Sequence, residues 1–143
     1  MVEYLLIFVG AAIPWLEIAI VIPVGIISGL NPALVILVAF IGNMATIVPL
    51  IFGYDKFKRW LAKRNEQKQS KRQDRAKTLW NKYGLPGMVM LGPILIGSHI
   101  AAFIGMTLGA TKRATLLWST FSIGVWALAF GILTALGFDF FTR

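Results

Sequence analysis

Four apolar blocks, residues 4–30, 32–52, 84–110 and 114–138, fill most of this chain and dictate its solvent. Each is long enough to cross a hydrocarbon core of about 30 Å as one helix, which takes roughly 20 residues. Charged residues make up 14% of the 143, and hydrophobic ones 57%, whereas a soluble domain is about 25% charged. The pattern predicts an all-α integral membrane protein, a single membrane domain over 1–143 with no room for a soluble one. No basic n-region precedes the first block, so no signal peptide is expected. The absence of cysteine excludes disulfides and thiolate metal sites.

The charge that remains is concentrated. Residues 54–83 carry eleven Lys or Arg against Asp55, Glu66 and Asp74, which accounts for the whole formal net charge of +8. A basic segment between membrane blocks reads as a cytoplasmic loop under the positive-inside rule. Nucleic-acid binding is not expected, while attraction to anionic membrane lipids is. Within the segment, Tyr54, Phe57, Trp60 and Leu61 recur at helical spacing, which predicts a short amphipathic helix on the membrane surface. Trp60, Trp80, Tyr54 and Tyr83 read as an aromatic belt at the bilayer interface. Asn65 to Arg75 has no apolar face and reads as solvated. Phe138, Phe140 and Phe141 are expected near the opposite interface.

One acid interrupts the first block. Glu17 lies between Pro14 and Pro23, with Gly25 and Gly29 beyond. An ionisable residue at bilayer depth is expensive and is by default a functional-site hypothesis. Proline inside an apolar segment removes a backbone donor and interrupts the helix. Irregular backbone at membrane depth survives only when buried in protein or lining a wet cavity. Residues 4–30 therefore read as a broken, re-entrant hairpin with Glu17 at its tip. Asn31-Pro32 is a turn that starts a conventional span, 32–52, which contains Asn43, a residue able to hydrogen-bond across helices.

Block 84–110 repeats the plan of the first. It is broken by Gly84-Leu-Pro-Gly and Gly92-Pro93, and its midpoint, Gly97, is followed by the polar pair Ser98-His99. Lys112-Arg113 ends it, and 114–138 is the last span. Corresponding interrupted segments in two halves are the sequence pointer to a transporter site built from inverted repeats. Charge counting agrees. If all four blocks crossed, Lys112 and Arg113 would lie outside. If blocks one and three are hairpins, those residues lie inside with the basic loop, and both termini lie outside. The expected architecture is an inverted repeat. Each half is a Pro/Gly-broken re-entrant hairpin plus a transmembrane helix, joined by the basic amphipathic connector. Gly25-xxx-Gly29 and Gly105-xxx-Gly109 read first as helix-packing faces.

The candidate substrate- and proton-binding residues are Glu17, His99, Ser98 and Asn43. Pro14, Pro23, Gly25, Gly29, Pro93 and Gly97 are the helix-breaking scaffold around them. Desolvation favours the neutral form of a carboxylic acid, and histidine titrates in the physiological range, so both suit proton coupling. With one histidine, no acidic metal cluster, no phosphate-binding loop and no nucleophile triad, neither an enzyme nor a metal or cofactor is expected.

The segment Pro14-Trp-Leu-Glu17-Ile-Ala-Ile-Val-Ile-Pro23-Val-Gly25, with Gly29, resembles the small multidrug export protein family, itself similar to DedA (VTT-domain) membrane proteins. In the second half the resemblance rests on Tyr83-Gly84-Leu, Gly92-Pro93, Gly97, Ala101-Ala102 and Gly124-Val-Trp126. It covers nearly the whole chain, through short apolar motifs. The family's arginine after a Glu-Leu pair is absent: Ile18 and Ala19 follow Glu17. The family's Pro-x-Pro-Gly-Thr-Gly reads here Pro93-Ile-Leu-Ile-Gly97-Ser98-His99, which leaves His99 as the candidate for the lost polar function. The resemblance implies two re-entrant hairpins meeting at mid-depth and a translocator of an amphipathic substrate, either a lipid-linked carrier or a cationic drug. The cell membrane is the expected location, and with so few spans a homodimer would enclose a path. The competing reading is a non-transporting scaffold or envelope-assembly factor, which needs neither Glu17 nor His99.

Overall fold

The computed structural model describes residues 1–14, 16–63 and 71–142; for Leu61, residues 71–73 and residues 138–142 it describes the backbone alone. The centre of the basic segment, 64–70, and the three terminal phenylalanine side chains therefore lie outside the described residues. All regular structure among the described residues is helical: α1 (Val2–Ala12), α2 (Glu17–Ile27), α3 (Pro32–Phe52), α4 (Tyr54–Lys63), α5 (Lys71–Leu95), α6 (Ser98–Thr107) and α7 (Lys112–Thr142). Two compact units result. Unit 1 is Met1–Thr46 with Phe121–Arg143, and unit 2 is Ile47–Thr120, so α3 and α7 each contribute to both.

Among the described residues, only α3 and the Lys112–Gly137 part of α7 are long and apolar enough to cross a membrane, and just 33% and 28% of their most apolar stretches is buried. A core helix of a soluble protein would be mostly buried. Across the helices, Leu5, Leu6, Ile20, Val24, Ile27, Leu37 and Leu133 are exposed, while Asn43, Thr115, Ser119 and Ser122 are buried. Apolar surface outside and polar side chains inside is the reverse of a water-soluble protein. It is the arrangement that an apolar solvent favours.

In unit 1, α1 packs on α2. Their close approach is made by glycine. A Cβ on Gly10 would lie 3.1 Å from Val21, and one on Gly25 would lie 2.7 Å from Ile7 and 3.0 Å from Val35. Gly42 of α3 sits against the Phe8 carbonyl, and Gly131 of α7 against Ile36. Small residues at such crossings let apolar helices gain dispersion contacts where the hydrophobic effect offers little. The Tyr4 hydroxyl accepts the backbone N–H of Asn31 at 3.3 Å, which joins the start of α1 to the end of the α2–α3 turn.

Unit 2 also contains a packed helix pair. α5 is kinked at Gly84 (φ 71, ψ −166), and its second part packs on α6. A Cβ on Gly92 would lie 2.6 Å from that of Ala101, and one on Gly105 would lie 3.0 Å from Leu85 and Met88. Ala76, Met88, Val89, Ile96, Ala101 and Ile104 form the core of this unit, with Trp80 packed against it. α4 is amphipathic, but Tyr54 does not stand in an interfacial belt. It is buried, with its ring 5.3 Å from that of Phe103 and its hydroxyl 3.1 Å from Thr107 Oγ1. Phe57 meets Phe103 edge-on at 5.3 Å. Lys112, the first residue of α7, pairs with Asp55 at 2.8 Å.

Of the three prolines expected to break helices, Pro14 stands at a break and the other two do not. Pro23 lies inside α2 and Pro93 inside α5, where the helix tolerates the loss of one hydrogen bond. The breaks fall instead between α1 and α2, where Pro14 is an exposed turn residue, and at Ile96-Gly97. The GxxxG pairs also divide their labour. Gly25 and Gly105 make close contacts, but Gly29 (φ 88) and Gly109 (φ 115) have open space around them and serve by conformation. Each closes its helix as a left-handed C-cap: Leu30 N–H donates to Gly25 and Gly29 N–H to Ile26, just as Ala110 donates to Gly105 and Gly109 to Met106. The next residue but one then starts a span. Asn31 Oδ1 accepts from Ala33 and Leu34 N–H at 3.0 and 3.3 Å, and Thr111 Oγ1 accepts from Ala114 N–H at 3.1 Å.

Candidate functional site

These caps set a register. Gly25 and Gly105, Gly29 and Gly109, and Asn31 and Thr111 are each 80 residues apart and play the same local part. The same offset carries Glu17 onto Gly97. Both residues stand at the break of their block, and both have positive φ, 44° at Glu17 and 98° at Gly97. Glycine adopts that region without steric penalty, but an L-residue incurs a cost there of about 1–2 kcal/mol. Glu17 is the one non-glycine with positive φ among the described residues.

Glu17 is also only 5% exposed. It opens α2 in unit 1, following a turn in which Leu16 and Glu17 N–H both donate to the Ile13 carbonyl. A side chain that is at once strained at the backbone, buried and acidic satisfies no local preference. Strain of this kind concentrates at functional positions, and a buried acid in an apolar segment is costly. In the sequence the only mark of it is spacing: at the 80-residue offset of Gly25 from Gly105 and Gly29 from Gly109, Gly97 stands opposite Glu17.

The other candidates are distributed between the units. Asn43, fully buried on α3, belongs to unit 1 with Glu17. Ser98 and His99 belong to unit 2 and form the first turn of α6 behind the Gly97 cap. Both are buried, at 4% and 6% exposure. Ser98 Oγ lies 3.4 Å from His99 Nδ1, a long hydrogen bond whose direction follows the ring tautomer. The structure thus joins Ser98 with His99, and Glu17 with the unit that holds Asn43. Gly97 and Gly29 shape backbone, Gly25 sets the α1–α2 approach, and Pro23 and Pro93 sit within helices.

Sequence reasoning missed two features of unit 2. One is the Lys112–Asp55 ion pair, in which the neighbouring Lys112 ammonium holds the Asp55 carboxyl below its ordinary value. The other is a pair of buried hydroxyls on α7, Thr115 and Ser119, visible in the sequence only as an i, i+4 spacing. Among the described residues, no three His, Cys, Asp or Glu side chains cluster as a metal ion would require.

No curated protein and no solved structure matches the chain. The profile of one family, described as "Putative small multi-drug export protein", matches residues 17–130, from the strained acid through most of α7. That match covers well over half of the sequence, so this membrane protein belongs to the small multi-drug export family.

Proposed function

We propose that this protein moves an amphipathic substrate across the membrane, a lipid-linked carrier or a cationic drug, with Glu17 as its proton-titratable binding group. The observation that carries the reading is the backbone of Glu17. The chain keeps a buried acid at positive φ, where the corresponding position of its second half is glycine. An idle residue would be replaced at no cost to the fold, whereas a residue that binds a cationic group or a proton repays the strain. Membership of an export family supports the same direction.

The helix lengths support a re-entrant arrangement. α2 has 11 residues and α6 has 10, about 15–16 Å each, half of a core about 30 Å thick. Hairpins of that length bring their turns, and hence Glu17 and Ser98-His99, to mid-depth. The Tyr54–Thr107 bond and the Lys112–Asp55 pair link the end of the second hairpin to the start of the basic segment. That supports Lys112 and Arg113 lying on the same side as the basic loop, which the positive-inside rule makes cytoplasmic. The Tyr4–Asn31 bond closes the first hairpin in the same manner at the other end of α3. In this reading both termini are outside and a homodimer completes the path.

The test is flux in proteoliposomes under an imposed pH gradient, with ethidium as the cationic cargo and a fluorescent polyprenyl phosphate as the lipid-linked one. One of the two should cross faster than in protein-free vesicles, and only with the gradient. If neither does, the scaffold reading takes its place.

A further inference from the structure

Helical hydroxyls in this protein have a habitual partner. Ser28 donates to the Val24 carbonyl at 2.7 Å, Thr78 to Asp74 at 2.9 Å, Thr107 to Phe103 at 3.0 Å and Thr120 to Leu116 at 2.8 Å. Each bonds back one turn, which is the cheapest way to satisfy a Ser or Thr inside a helix. Thr115 and Ser119 depart from this habit. Thr115 is fully buried and Ser119 is 2% exposed. Neither Thr115 Oγ1 nor Ser119 Oγ has a hydrogen-bond partner among the described residues. A buried polar atom in that state carries its full desolvation penalty, yet Thr120, the next residue along, makes the back-bond that they forgo.

The two hydroxyls lie one turn apart on α7, so their Cβ atoms are about 5–6 Å from each other. Side chains one turn apart lie on the same face of the helix, so one oxygen can hydrogen-bond to both at about 2.8 Å each. Two neutral hydroxyls supply hydrogen bonds but no charge, and a buried ion needs a counter-charge. Lys112, one turn nearer the helix start, already pairs with Asp55. The guest that fits is therefore uncharged and carries a hydroxyl.

We propose that Thr115 and Ser119 form a binding site for one uncharged hydroxyl group, supplied by water or by an alcohol of a lipid headgroup, which bridges the two side chains inside unit 2. The site is independent of Glu17 and stands whether or not transport is proton-coupled. Buried water meets such otherwise unsatisfied groups in folded proteins, and a lipid alcohol offers the same donor and acceptor.

A double-mutant cycle tests it, because the side chains do not bond to each other and any coupling must pass through a third group. Thr115→Val and Ser119→Ala are close to isosteric, so they remove hydroxyls with little change in packing. Thermal unfolding is followed for the native chain, each single variant and the double variant, in lipid-free detergent and in vesicles of phosphatidylglycerol or phosphatidylcholine. Each single change should lower Tm, and the double variant should be no less stable than the weaker single, since the first change already releases the guest. Coupling in detergent assigns the guest to water. Coupling in phosphatidylglycerol vesicles alone assigns it to the glycerol headgroup. Additive losses in every medium, or a rise in Tm with either single change, overturn the proposal. If Thr115→Val does not accumulate, Thr115→Ala serves in the same cycle.

Discussion

Replacing Glu17 by glycine and by alanine separates the backbone at this position from the carboxylate it carries. Both changes delete the acid and its buried side chain, so those effects largely cancel between them. What differs is the positive φ of 44°. Alanine keeps the left-handed penalty of about 1–2 kcal/mol. Glycine sheds it and loses about 0.5–1 kcal/mol through its greater freedom in the unfolded chain. Glu17→Gly should therefore be the more stable of the two by about 0.5–1 kcal/mol. Two residues on, in the body of α2, the order reverses: Ala19→Gly should cost about 1 kcal/mol, the ordinary helix value. The assay is equilibrium unfolding in detergent of all three variants, compared as Gly against Ala at 17 and at 19. If alanine equals or exceeds glycine at 17, the strain assigned to Glu17 is not there, and the inference from strain to function loses its ground. If glycine is the more stable and yet supports full transport, the strain is real but the acid is not the binding group.

Three further outcomes follow from the described geometry. Gly29→Ala and Gly109→Ala should each destabilise by about 0.5–1 kcal/mol by thermal or denaturant unfolding, the left-handed penalty less the entropy that alanine saves, with no steric part because open space surrounds both positions. The Asp55 carboxyl is held low by Lys112, so its contribution to the folded state is present above the unfolded carboxyl value and is lost as pH falls through its depressed folded value. Acid titration should loosen α4, read as Trp60 fluorescence or protease sensitivity, and Asp55→Asn should remove that acid step. Single cysteines introduced into this cysteine-free chain at Lys56 and Arg113 should label from the same side of the membrane, and one at Val2 from the other; labelling of 56 and 113 from opposite sides would remove the hairpin arrangement.

The coarse architecture was legible because lipid imposes few choices. Length and apolarity mark α3 at 32–52, and glycine or acid at the midpoints of the broken blocks marks the turns at 17 and 97. What was not legible depends on direction around a helix. Both faces of an apolar helix in lipid read alike, so nothing in the sequence announced that Tyr54 turns inward onto Phe103, or that Thr115 and Ser119 are buried while Leu117 is exposed. Proline was overread: in an apolar helix the loss at Pro23 or Pro93 is local, and the chain breaks where left-handed backbone is needed. The GxxxG spacing was ambiguous for a related reason, since a cap and a packing contact four residues apart have the same signature. Glu17 stood out by its chemistry, whereas its strain became visible only in the positive φ of its backbone.

The most direct measurement is the pH profile of cargo flux in proteoliposomes for Glu17→Gln beside the native chain. Glutamine keeps the shape and the backbone strain and removes the titration. The account predicts normal expression and folding, with pH-dependent flux abolished. Flux with an unchanged pH profile would contradict it and leave Glu17 a structural residue.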